Sequence, residues 1–225
     1  MQKLAIAALF LFATFFASTS ALSAPIQWTT ATGGNGHWYD SVVTGPGITW
    51  EQARIQAEAM GGYLATPTSA AENTWVFDSV ASNLALWHHD PSSFWTIDMA
   101  GPWIGAFQDT SSLDYSEPGG GWTWVSGEEW TYSNWEPTAL LPDNTGTYNV
   151  AHYVMFDPHN QTTTIPSLYW NDIDNCAACN EGAPNGMINS FLIEYESNPI
   201  PEPTTLTLLA IGLISLASAR TTSRS

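Results

Sequence analysis

The helix signals of this chain are confined to one early stretch, and the apolar segments that follow come in strand-length runs. Thr49-Trp50-Glu51-Gln52 reads as a helix start, with Trp50, Ala53, Ala57 and Met60 at helical spacing and Gly61-Gly62 as its stop. Ser69-x-x-Glu72 then forms a capping box, in which the serine hydroxyl satisfies an orphan N–H and the glutamate reaches back. The second helix is expected to run to about Asn83, with Trp75, Val76 and Val80 inward. After it, residues 86–101 read as a loop carrying Trp87, His88, His89 and Trp95, and strands are expected at 103–107, 121–125, 150–156, 168–170 and 191–195. Helices first and strands later predict an α+β domain without internal repeats.

Both ends read as addresses rather than structure. Lys3, the apolar stretch 4–17 and the small residues around Ala21-Leu22-Ser23-Ala24 match the charged, apolar and cleavage regions of a secretory signal peptide, residues 1–24. At the other end Pro201-Glu202-Pro203 precedes the apolar run 206–219, then Arg220 and Arg224. That run is shorter than the ~18 to 20 residues of a comfortable spanning helix, and its basic end is the one expected to stay cytoplasmic. The tail, residues 200–225, resembles the PEP-CTERM sorting signal of bacteria that make exopolysaccharide. The resemblance implies transient membrane insertion through the tail and cleavage near Glu202 by an exosortase-type processing protease. Delivery would be to the surface or exterior of a Gram-negative cell.

Residues 25–199 are one domain by length, large enough to bury about 70% of their unfolded surface. All 21 acidic residues lie between Asp40 and Glu202, where Arg54 is the only basic one. Electrostatics therefore exclude nucleic acid as a partner. An acidic polysaccharide would be repelled as well unless a divalent cation bridged the two, so cations are the favoured counterpart.

Within this span the helical residues Trp50, Ala53 and Ala57 lead into Gly61-Gly62-Tyr63-Leu64-Ala65, then Ser69 and Glu72. Trp103-Ile104-Gly105, Trp122-x-Trp124-x-x-Gly127, Glu136-Pro137, Trp170-Asn171-Asp172 and a closing Phe191-Leu192-Ile193-Glu194 follow. In that order these elements resemble the C-type lectin-like domain over about residues 36–196. The resemblance implies two helices plus antiparallel sheets with a long loop region. It also implies a Ca2+ site built from Glu136, Asn171 and Asp172, with a cis peptide before Pro137 and sugar hydroxyls completing a shell of six to eight oxygens. Asp143 and Asn144, from the 140–147 loop, are the available substitutes for a further acid that the pattern expects near Tyr148 or Asn149. Thr138 stands where sugar-binding members carry asparagine or aspartate, so calcium affinity is expected to be weak, in the range of roughly 10⁻⁴ to 10⁻³ M. Around the ion, Glu136, Thr138, Asn171 and Asp172 are the expected ligand-binding residues, with Trp87 and Trp95 stacking on sugar faces.

The long disulfide of that pattern would join positions filled here by Ala57 and Ile193, so a hydrophobic contact is expected in its place. Cys176-Ala177-Ala178-Cys179 is expected to form a local disulfide in an oxidising exterior, shaping its loop more than stabilising the whole. Of the 12 tryptophans, Trp103, Trp122, Trp124 and Trp135 are expected in the core. No nucleophile elbow, metalloprotease helix or phosphate loop is present in the sequence. The expected function is therefore non-enzymatic: a secreted or surface-attached, calcium-assisted module for glycan or exopolysaccharide. A metal-free protein-binding or structural matrix domain is the alternative.

Overall fold

The computed structural model describes residues 24–44, 47–89, 99–144, 151–159, 164–175 and 188–199. Helix α1, Trp50–Ala59, starts with a capping box in which the Thr49 hydroxyl accepts the Gln52 N–H at 3.0 Å and the Gln52 side chain accepts the Thr49 N–H at 3.1 Å. It buries Trp50, Ala53 and Ala57. Ala57 and Ile193 lie in one buried cluster, each 0% exposed, as expected where a disulfide is absent.

Helix α2, Ala70–Val76, is shorter than the sequence predicts and passes into a π-helical turn at Phe77–Ala81. Its N-cap is half of the expected box. Ser69 Oγ accepts the Glu72 N–H at 3.2 Å, but the Glu72 carboxylate is used elsewhere, accepting the Thr68 N–H at 2.9 Å.

The strands are β1 Ile26–Gln27, β2 Trp38–Val43, β3 Tyr63–Leu64, β4 His88–His89, β5 Met99–Ala100, β6 Trp103–Gln108, β7 Trp122–Trp124, β8 Tyr153–Asp157, β9 Tyr169–Ile173 and β10 Ser190–Tyr195. The main sheet runs β1-β2-β10-β6-β8-β9, with β3 pairing β10 and β7 pairing β6; β4 and β5 form a separate ribbon. That ribbon replaces both ends of the expected 86–101 loop. The last strand sits in the middle of the sheet: β10 pairs antiparallel with β2 from Ser190↔Val43 to Tyr195↔Trp38, and parallel with β6 at Phe191↔Trp103.

Alternation along β10 and β6 divides the interior into two clusters. Phe191, Ile193 and Trp103 join Trp50, Ala57 and Met155 on one face, whereas Leu192 and Ile104 join Tyr39, Trp124 and Trp170 on the other. Two of the buried indoles with satisfied N–H groups are Trp50, donating to the Ile104 carbonyl at 2.8 Å, and Trp103, donating to the Ile48 carbonyl at 2.9 Å, whereas Trp124 Nε1 has no hydrogen-bond partner among the described residues. Trp-Ile-Gly has a steric reason. A Cβ at Gly105 would stand 2.4 Å from the Leu64 carbonyl oxygen, where β3 crosses β6.

A polar network runs through this interior and ties β2, α2 and β10 together. Tyr39 donates to Glu72 at 2.5 Å and lies 3.0 Å from Glu194; His37 Nδ1 is 2.6 Å from Glu194, whose other oxygen accepts the Thr66 N–H at 2.8 Å. His37 is raised above its ordinary 6.5, chiefly by the hydrogen bond to Glu194. Its stabilisation is therefore complete below that value and lost as pH rises through the folded pKa. Glu72 is raised above its ordinary 4.5, chiefly by burial, so ionising it in the folded state costs stability as pH increases. Self-repulsion at net charge −17 acts in the same direction. The thermal midpoint is expected to be higher at about pH 5.5 than at about pH 8; a midpoint that climbs over that interval would contradict these protonation states.

Candidate functional site

Asn171 and Asp172 lie on β9, and Glu136 lies along the outer edge of that strand. The stretch Asn134–Glu136 lies along this strand, with the Trp170 N–H donating to the Asn134 carbonyl and the Glu136 N–H to the Trp170 carbonyl, both at 2.9 Å. Trp170 points inward and donates its Nε1–H to Asn73 Oδ1 at 2.9 Å. The tryptophan of the Trp-Asn-Asp motif is thus an anchor, and its two polar neighbours are 3% and 5% exposed.

Glu136 is 0% exposed, and its carboxylate is taken up by its own turn. It accepts the Thr138 N–H at 2.9 Å, the Ala139 N–H at 2.7 Å and the Thr138 hydroxyl at 2.8 Å. His159 Nδ1 lies 3.4 Å from its other oxygen. Contacts of this spacing are local side-chain-to-backbone caps, so Glu136 and Thr138 are fastened to each other in this structure. This differs from the expected pair of ligands aimed at an ion. The Glu136–Pro137 bond is not cis either; among the described residues the cis bonds precede Pro118 and Pro142.

Asp172 has a different partner. Its Oδ1 and Oδ2 accept the Asp143 N–H at 3.1 and 3.2 Å, and Oδ2 accepts the Asn144 N–H at 2.8 Å. Burial pushes its pKa up to about 6 against the effect of these amide donors, with the Asp143 charge adding a smaller upward push. The Asn144 side chain then accepts the Ala151 N–H at 3.0 Å.

These positions do not fit the calcium site that the sequence implies. Calcium needs six to eight converging oxygens, whereas one Glu136 oxygen and both Asp172 oxygens already accept backbone N–H groups. Leu141, 8% exposed, brings no oxygen from its side chain. Among the described residues no group of three or more His, Cys, Asp or Glu side chains is placed to hold a metal ion.

Trp87 corrects another expectation. It is 6% exposed in the core cluster and donates to the Ala81 carbonyl at 2.7 Å, so its ring is not offered to a ligand. Trp95, Tyr148, Asn149, Cys176 and Cys179 lie outside the described residues. Trp103, Trp122 and Trp124 are core residues as expected, Trp103 in one cluster and the other two in the second, against which Trp135 is partly buried.

One pair was not anticipated from the sequence. His159 and Tyr169 rings lie 5.5 Å apart at 34°, with the His159 side chain 49% exposed and 3.4 Å from Glu136, and Tyr169 half-buried. A signal was available: His159 follows the end of β8 after Asp157-Pro158, and Tyr169 opens β9 immediately before Trp170.

No family model matches the chain. No curated protein matches it. Among solved structures it is similar to the cow CD23 C-type carbohydrate-recognition domain determined in the presence of a GlcNAc2Man3 oligosaccharide, at 17% identity over 79% of this chain and 97% of that one, with a TM-score of 0.49. A calcium-independent type II antifreeze protein matches at 18% identity over 78% of this chain and 95% of that one, TM-score 0.43. The mouse scavenger receptor C-type lectin carbohydrate-recognition domain matches at 20% identity over 71% and 90%, TM-score 0.44. These are likenesses of fold alone.

Proposed function

We propose that the domain is a non-enzymatic carbohydrate-binding module, exported by its signal peptide and sorted at the cell surface through its tail by an exosortase-type protease. Its ligand class is neutral glycan, such as the exopolysaccharide of the surrounding matrix. The observation that carries this reading is the partly exposed His159–Tyr169 pair beside the Glu136 turn. An aromatic face next to fixed polar groups matches the apolar face and hydroxyl rim of a pyranose. Calcium has no part in the reading, because Glu136 and Asp172 are engaged with backbone N–H groups.

A glycan array probed with the purified protein, in millimolar calcium and in chelator, is expected to give the same neutral-glycan signals in both. Tyr169→Ala should weaken them about tenfold, the loss of one stacking contact, with the thermal midpoint changing little. Binding that survives Tyr169→Ala would sink the assignment of the face. Internal satisfaction of Glu136, Thr138 and Asp172 favours a second reading, a protein-binding or structural matrix domain, which silence on the array in both conditions would select.

A further inference from the structure

Asp172 is nine-tenths buried and more, yet no cation meets its carboxylate among the described residues; two backbone N–H groups do. Asn144 adopts φ 54°, the left-handed region that asparagine tolerates better than most non-glycine residues. That bend aims the consecutive N–H groups of Asp143 and Asn144 at one anion, the geometry of a backbone nest. The Asn144 side chain continues the chain of contacts to the N–H of Ala151, which is 0% exposed just ahead of β8. Amide hydrogens on a carboxylate present positive charge to the same oxygens a cation would use, so the two modes of holding the loop compete.

We infer that Asp172 clamps the 141–144 loop onto β9 through the backbone N–H groups of Asp143 and Asn144, in place of a metal ion. Metal-free ordering of this loop follows, and it holds whether or not the domain's ligand is a glycan. The carboxylate acts as a positioning residue, and what it positions is backbone.

The test is residue-resolved hydrogen exchange on the whole protein, in chelator and again with millimolar calcium chloride. In chelator the Asp143 and Asn144 amides are expected to exchange at least about 100-fold more slowly than unprotected peptide, and added calcium should leave both rates and the thermal midpoint unchanged. Asp172→Asn should speed exchange at these two amides at least about tenfold while the amides of β10 stay protected. Fast exchange in chelator that calcium slows, or a midpoint raised several degrees by calcium, overturns the inference. So does an Asp172→Asn protein whose two amides remain as slow as before. If that variant fails to fold, the unsubstituted protein in the two solutions decides alone, and its failure or success is read without any sugar present.

Discussion

Trp170→Ala is expected to lower the free energy of unfolding by about 3–5 kcal/mol, the usual range for emptying a large aromatic site in a packed core. Trp170 is 0% exposed and serves as a hub. Trp124 meets it edge-on at 5.7 Å and 88°, Trp135 at 6.1 Å and 89°, and Tyr132 at 5.5 Å and 86°. Truncation leaves a cavity bounded by rigid rings that cannot collapse into it, and it leaves Asn73 Oδ1 without its indole donor. Trp170→Phe restores most of the volume but not the N–H, and should lose about 1–3 kcal/mol. Chemical denaturation measures both. A loss below about 1 kcal/mol for the alanine variant would show that the hub is looser than its ring geometry implies.

Glu194→Ala should be as damaging, for an electrostatic reason. Glu194 is 0% exposed and is met by the Thr66 N–H, the Thr66 hydroxyl, His37 and Tyr39. Breaking one partner out of a buried charged network typically costs about 3–5 kcal/mol, because the groups left behind remain desolvated and unpaired. Glu194→Gln keeps an oxygen for Thr66 but loses the charge beside His37, so it should cost less and flatten the pH dependence of stability. If the glutamine variant keeps the full slope between about pH 5.5 and pH 8, His37 is not its source.

Much of the fold was legible because local chemistry and tertiary packing agree. Thr49 starts α1 where the sequence places a helix start, Trp103 and Trp124 lie in the core, and Ile193 shares a buried cluster with Ala57, as the resemblance implies. Strand β2 was not legible. Asp40 and Ser41 interrupt its apolar pattern, and Asp40 is 4% exposed where it pairs with Ile193 of β10. Glu72 reads as a capping residue, yet Tyr39 and Asn35, more than thirty positions away, compete successfully for its carboxylate. Glu136 illustrates the reverse error. Glu-Pro-Thr looks like a ligand motif aimed at a distant ion, whereas donors two and three residues downstream already satisfy it. Asp143 reads as a candidate side-chain ligand, and its contact with Asp172 is made by its backbone N–H, which no residue-type argument specifies.

The central position of β10 also sets how the domain bears mechanical load. A pull on the chain beyond Pro199 enters the domain at the Tyr195 end of this strand. An edge strand would peel away one hydrogen bond at a time, but β10 is gripped by β2 on one flank and by β3 and β6 on the other. Force transmitted through the C-terminal side therefore has to rupture two ladders together before the sheet yields, which makes this strand a tension-bearing element of the domain.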